Sequence, residues 1–275
     1  MTRDPFYFSD DKRFTAEELA AWQDKEQCRE RLARNRLKWY SLALQVGMFV
    51  LILLLWRLPF MMPIRLVVVL FHEMSHVIGA YLTGGVAFGI AIDPGGAGAT
   101  LGIGGNDVLV ASAGYLGSLL IGVVLYCLSA AWEPKEAWAM LMALFCIALL
   151  FGWLNGFTAF FGYLCIILMT MGFVLFRDGM KVFFIRVVST TCCLFPIIDV
   201  MGDLFQDSID GFHVLEHAPT SDIARISALT AVPEPILVLF WLVFGCAALI
   251  CAVTFAANRD ALRIQPSRRP VWETV

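Results

Sequence analysis

The chain has 275 residues, of which 59% are hydrophobic and only 16% charged, with a formal net charge of -3. Soluble domains run at about 45–50% apolar, so this composition excludes an ordinary soluble enzyme and predicts an integral, multi-pass membrane protein. The charges gather in the two tails and one late loop; neither their number nor their sign points to nucleic acid as a partner.

Residues 1–38 are polar and mixed in charge, and read as a cytoplasmic arm. Thr15-Ala16-Glu17-Glu18 has the form of a capping box opening a surface helix. Arg29, Arg31, Arg34, Arg36 and Lys38 crowd its end, which by the positive-inside rule puts the N-terminus in the cytoplasm. The first apolar run begins only at Trp39, after this charged stretch, so it reads as an anchor and not as a cleaved signal. Trp39–Trp56 is long enough to span with help from its flanks.

The next helix is expected to start near Pro63 and carries His72-Glu73-Met74-Ser75-His76, an H-E-x-x-H pentad. On a helix the two histidines lie one turn apart on one face, so both can reach a single metal ion. Glu73 stands beside them as a base for metal-activated water. Apolar residues flank the pentad on both sides, and ionisable groups in a lipid-embedded helix are expensive enough to be functional by default. Gly79, on nearly the same face, would let another helix approach the metal closely.

Gly84–Asn106 is glycine-rich, and Val86, Phe88, Ile90 and Ile92 alternate with small residues. That period, followed by Asp93-Pro94-Gly95-Gly96, predicts a β-hairpin with a return strand at Ala99–Ile103. Val108–Trp132 is a span with a small-residue stripe, Ser112-x-Gly114-x-x-Gly117-Ser118. The uncharged Ala137–Phe176 stretch is twice a span's length, and Asn155-Gly156 divides it into two helices. A segment interrupted by Arg186 ends at Asp199, and a polar stretch over about 203–230 leads to the last span, Ile236–Ala257. The expected fold is therefore an all-α polytopic membrane protein of about six to seven transmembrane helices, with a short membrane-associated hairpin after the pentad helix. Residues 39–257 form the membrane domain and 258–275 a basic tail. Seven full spans would put the basic ends on opposite sides; the Arg186 segment is the candidate for one that does not cross. Seven of the eight cysteines lie in apolar runs without a C-x-x-C pair and read as packing residues.

Catalytic zinc wants three protein ligands and an open position. Asp199, a carboxylate at the end of an apolar stretch, is the leading candidate for the third. Asp203, one helical turn on, is an alternative ligand or a group that orients one; Asp93 is weaker. His213-Val214-Leu215-Glu216-His217 is an H-x-x-E-H sequence in the polar stretch, and with the pentad it uses all four histidines.

Phe71 with the pentad, the glycine-rich hairpin and a later span-end aspartate together resemble the site-2-protease-type intramembrane zinc metallopeptidases, in their short branch without a PDZ domain. The resemblance covers approximately residues 60–225 and is most specific at the pentad and at Ser112–Ser118. It implies zinc held by His72, His76 and a distant aspartate, carried over to Asp199, with Glu73 activating water. In place of the family's N-x-x-P-x-x-x-L-D-G this chain has Phe195-Pro196-Ile197-Ile198-Asp199-Val200. Asp199, Asp203 and Ser221-Asp222 are similar to the paired aspartates and later Ser-Asp of that branch, so the third ligand stays open between 199 and 203. The expected activity is zinc-dependent hydrolysis of a peptide bond in or near a transmembrane segment of a membrane-protein substrate. Such a segment must unwind first, and the hairpin, at Val86, Phe88 and Ile90, would hold the unwound chain by strand addition. The rival is a non-catalytic multi-pass scaffold with a structural or vestigial metal site.

Overall fold

The computed structural model describes residues 16–206 and 221–264. The histidine pair at 213 and 217 and most of the basic tail lie outside the described residues. Eight α-helices (α1–α8), a single 3-10 turn at Pro59–Met61 and one hairpin (β1, β2) are present among them.

Helix α1 (Ala16–Leu55) joins the arm to the first apolar run without a break. Its sequence holds no proline and a single glycine, so nothing stops the helix where its composition changes from polar to apolar. Pro59 closes the next turn, and Pro63 sits in the first turn of α2 (Met62–Leu82), where its missing N–H costs nothing. Every side chain of α2 from Leu66 to Val77 is buried. Of the six helical stretches long and apolar enough to cross a membrane, this one is 72% enclosed by protein against 11–50% for the others. The pentad helix is thus the axis around which the bundle is built.

Strands β1 (Val86–Ile92) and β2 (Gly98–Ile103) pair antiparallel, as expected, around the Asp93–Ala97 turn. Asp93 closes that turn through its main chain and through Oδ1, which accepts from Gly95 N–H at 2.7 Å. A register shift between Ala87 and Gly89 leaves Phe88 unpaired. One extra residue reverses the facing of the strand, so Val86 and Phe88 are exposed whereas Ile90 and Ile92 are buried. The outer edge of β1 is closed by the connection after α4: Ile90 N–H donates to Gly152 O at 3.1 Å and Leu154 N–H to Ile90 O at 2.9 Å. Asn155 and Thr158 add side-chain bonds to Ile92. The hairpin is wedged against the bundle on that side.

Helix α3 (Asp107–Ala131) lies along α2 and α6, and α4 (Pro134–Leu150) and α5 (Gly156–Leu175) form the pair divided at Asn155, whose side chain caps α5. Helix α6 (Asp178–Gln206) carries Pro196 inside it, α7 (Asp222–Thr230) is short, and α8 (Glu234–Ile264) packs on α1, α3 and α6. The six apolar stretches fall in α1, α2, α3, α5, α6 and α8. Helix α4, at 17 residues, is at the lower bound of span length.

The segment holding Arg186 belongs to α6, which has the length and composition of a span. Arg186 is accommodated by a fork onto Asp260 of α8, at 2.9 and 2.7 Å, and by a bond from Nε to Ser129 Oγ of α3. Asp260 also accepts from Ser41 of α1, which in turn receives Gln45, and Gln45 accepts from the Tyr126 hydroxyl. One largely buried ion pair therefore ties four helices together. Breaking such a pair leaves an uncompensated charge, at about 3–5 kcal/mol. Arg186→Ala is expected to destabilise the fold in detergent by that order, read as a lower thermal unfolding midpoint, and Arg186→Leu with Asp260→Leu to recover much of the loss. An unchanged midpoint in the single variant would count against the clamp.

Candidate metal centre

The pentad faces α3, α7 and the hairpin. The ligand atoms of His72, Glu73 and His76 lie within 4.8 Å of one another, and the two Nε2 atoms are 3.0 Å apart. His76 Nδ1 donates to the main-chain oxygen of Val110 at 2.7 Å. That bond selects the tautomer whose lone pair is on Nε2, turned inward, as metal-ligating histidines require. The His72 ring is held by edge contacts from Tyr115 and Phe195, each with ring centres 5.2 Å away.

These rings need room, and α3 supplies it at Gly114. A Cβ there would stand 2.5 Å from His76 Nε2 and 2.6 Å from His72 Cε1, closer than real carbons approach. The expected close approach at Gly79 is also present, against Ala113 of α3, and Gly117 meets Ser75. The small-residue stripe of α3 is thus the surface that seats the pentad.

Glu73 is reached from the other side by β2. Thr100 Oγ1 lies 2.8 Å from Glu73 Oε2 and 3.0 Å from its main-chain oxygen, and its single proton serves one at a time. Gly98 leaves space for the Glu73 side chain, which a Cβ at that position would strike.

The two aspartates take different places. Asp199 Oδ2 accepts from the Tyr115 hydroxyl at 3.0 Å. Asp222 Oδ2 stands 3.0 Å from His72 Nε2 and 3.0 Å from His76 Nε2. Burial alone would push the Asp222 carboxyl up; hydrogen bonds and charge from His72 and His76 outweigh it and hold it well below the usual carboxylate range. Asp203 lies in α6, with its side chain outside the described residues. Asp93 is occupied in the hairpin turn. His72, Glu73, His76, Asp199 and Asp222 all line one cavity of about 520 Å³, bounded by β2 on one side and Arg225 of α7 on another. Val86, Phe88 and Ile90 are not among its lining residues.

The chain matches the peptidase M50B-like family over residues 45–252, three quarters of its length and the whole of this cavity. It belongs to that family. Neither the curated proteins nor the solved structures yield a match.

Peptidases of the M50 group are typically zinc-dependent, and the donor set of this M50B-like chain fits such an ion. Three donors at the corners of a tetrahedral zinc site, with bonds of about 2.0–2.1 Å, sit about 3.3 Å apart. The two Nε2 atoms and Asp222 Oδ2 are mutually 3.0 Å apart, close to that spacing. Two imidazoles and a carboxylate are also the ligand types that zinc takes.

The sequence alone assigns no role to three residues of the M50B-like site. Asp222 shows in the sequence as the second half of Ser221-Asp222, where Ser221 caps a short helix, and nothing in the chain's spacing marks it as the carboxylate that meets the histidines. Thr100 carries no signal in a linear reading, being a lone hydroxyl among glycines, and Tyr115 lies in the Ser112–Ser118 stretch with nothing to single out its hydroxyl.

Proposed function

We propose that this protein is an intramembrane zinc endopeptidase that hydrolyses a peptide bond in or near a transmembrane segment of a membrane-protein substrate. The observation that carries the reading is the convergence of two Nε2 atoms and one carboxylate oxygen at 3.0 Å beside a buried glutamate. In this reading His72, His76 and Asp222 hold the metal. Asp199, tethered to Tyr115 next to the His72 ring, positions that ligand and keeps the wall polar for water. A zinc ion there supplies Lewis acidity, lowering the pKa of a water and polarising the scissile carbonyl.

Glu73 takes the proton of that water and returns it to the leaving amine. Thr100 steadies the carboxylate through Oε2, leaving Oε1 for the proton. The cavity gives water a place within an otherwise apolar bundle. A substrate helix buries its own carbonyls and must unwind before one of them can be attacked. The main chain of β2 is suited to hold the unwound stretch, since the outer edge of β1 is already paired with Gly152–Leu154. Val86 and Phe88 present exposed apolar side chains to the flanking substrate, and Ile90 anchors the hairpin from beneath. The basic run Arg29–Lys38 supports a cytoplasmic N-terminus.

Elemental analysis of the detergent-purified full chain is expected to find one zinc per chain, and a chelator to stop cleavage of a reporter carrying a transmembrane segment. A well-folded protein without zinc would overturn the proposal and leave a non-catalytic membrane scaffold.

A further inference from the structure

A second cavity, of about 510 Å³, opens where α4 begins, α5 ends and α6 begins. It shares no lining residue with the metal centre. Its polar wall is Lys135, Arg177, Lys181 and Asp178, three cations against one anion. Its apolar wall is Phe173, Val174 and Phe176.

Lys181 is the unusual member. It is 2% exposed, and its ammonium stands 3.6 Å from the carboxylate of Asp178, which is itself 64% open to solvent. Among the described residues its ammonium also stands 5.7 Å from the ring of Phe173. A buried charge asks for full pairing, and one long contact to an exposed carboxylate is poor compensation. The glutamates of the same connection do not supply it, because Glu133 and Glu136 form the capping box at the start of α4. Lys135 and Arg177 are exposed at the rim, so the cavity offers one embedded and two flexible cations to an incoming anion.

Position narrows the anion. Arg177 and Lys181 fall within a turn of the ends of the apolar stretches Gly156–Leu175 and Asp178–Met201, which is the depth of lipid headgroups. Val174 and Leu175, beside the cations, are largely exposed. A phosphate bound there would therefore have apolar surface next to it on the bilayer side. Basic pockets between membrane helices bind acidic headgroups by this combination.

We infer that Lys135, Arg177 and Lys181 form a site for the phosphate of an anionic phospholipid, with Phe173 and Val174 against its acyl chains. Free inorganic phosphate shares the polar chemistry but has no use for the apolar wall.

The test uses the full chain in detergent, given phosphatidylglycerol or phosphatidylcholine and examined by native mass spectrometry for retained lipid. Lys135→Gln with Arg177→Gln is the informative variant, since both side chains are exposed and carry little packing. Wild type is expected to retain phosphatidylglycerol preferentially, and the double variant to bind it about 30-fold more weakly. Retention that resists millimolar inorganic phosphate supports a lipid as the occupant. Displacement by inorganic phosphate, with phosphate binding to wild type alone, keeps the phosphate site but overturns the lipid. Equal retention of the two lipids, or of phosphatidylglycerol by wild type and variant, overturns the site.

Discussion

Asp222→Ala is expected to strip the metal centre of zinc, while Asp199→Asn leaves it loaded. The difference follows from where each carboxylate points. Asp222 Oδ2 completes a triangle with the two histidine Nε2 atoms, so its removal takes away one of three donors. Asp199 is engaged by the Tyr115 hydroxyl, and an asparagine oxygen can accept that same bond. Losing an orienting group of this kind costs about 10–100-fold in metal affinity, and losing a ligand costs more. Elemental analysis of both variants, each checked for an unchanged unfolding transition, reads the outcome. Zinc lost from Asp199→Asn and kept by Asp222→Ala would transfer the third ligand to Asp199.

Glu73→Gln is expected to keep zinc and lose cleavage by about 10²–10⁴-fold, the usual contribution of a positioned acid–base group. The amide has the size of the carboxylate and can still take the Thr100 bond, so the packing of α2 against β2 survives. It cannot accept a proton at neutral pH, and with the base it removes one negative charge beside the metal. Comparing zinc content with turnover of a transmembrane reporter separates this effect from a loss of metal. Turnover near the wild-type rate would remove Glu73 from the mechanism and leave the metal assignment standing.

Much of this was legible in one dimension because it is local. The pentad places two imidazoles on one helical face by geometry alone, and an apolar composition forces helices upon a chain that must satisfy its backbone without water. The hairpin showed itself through alternation and a Pro-Gly-Gly turn, although the bulge at Phe88 then turned Val86 and Phe88 away from Ile90. Arg186 looked like an obstacle to crossing, because a lone charge in an apolar run is one; its partner Asp260 lies 74 residues away in sequence.

The sequence by itself determined the membrane class, the placing of the pentad on a helix, the hairpin and the division of the Ala137–Phe176 stretch. Those follow from period, composition and turn residues, which act over a few positions. Only the tertiary structure decided which carboxylate meets the histidines, what steadies Glu73, and which edge of the hairpin is already paired. Asp222 reaches His72 across 150 positions of chain, and Thr100 reaches Glu73 across 27. Contacts of that range are set by how α7 and β2 pack against the pentad helix, and no spacing rule in the chain encodes them.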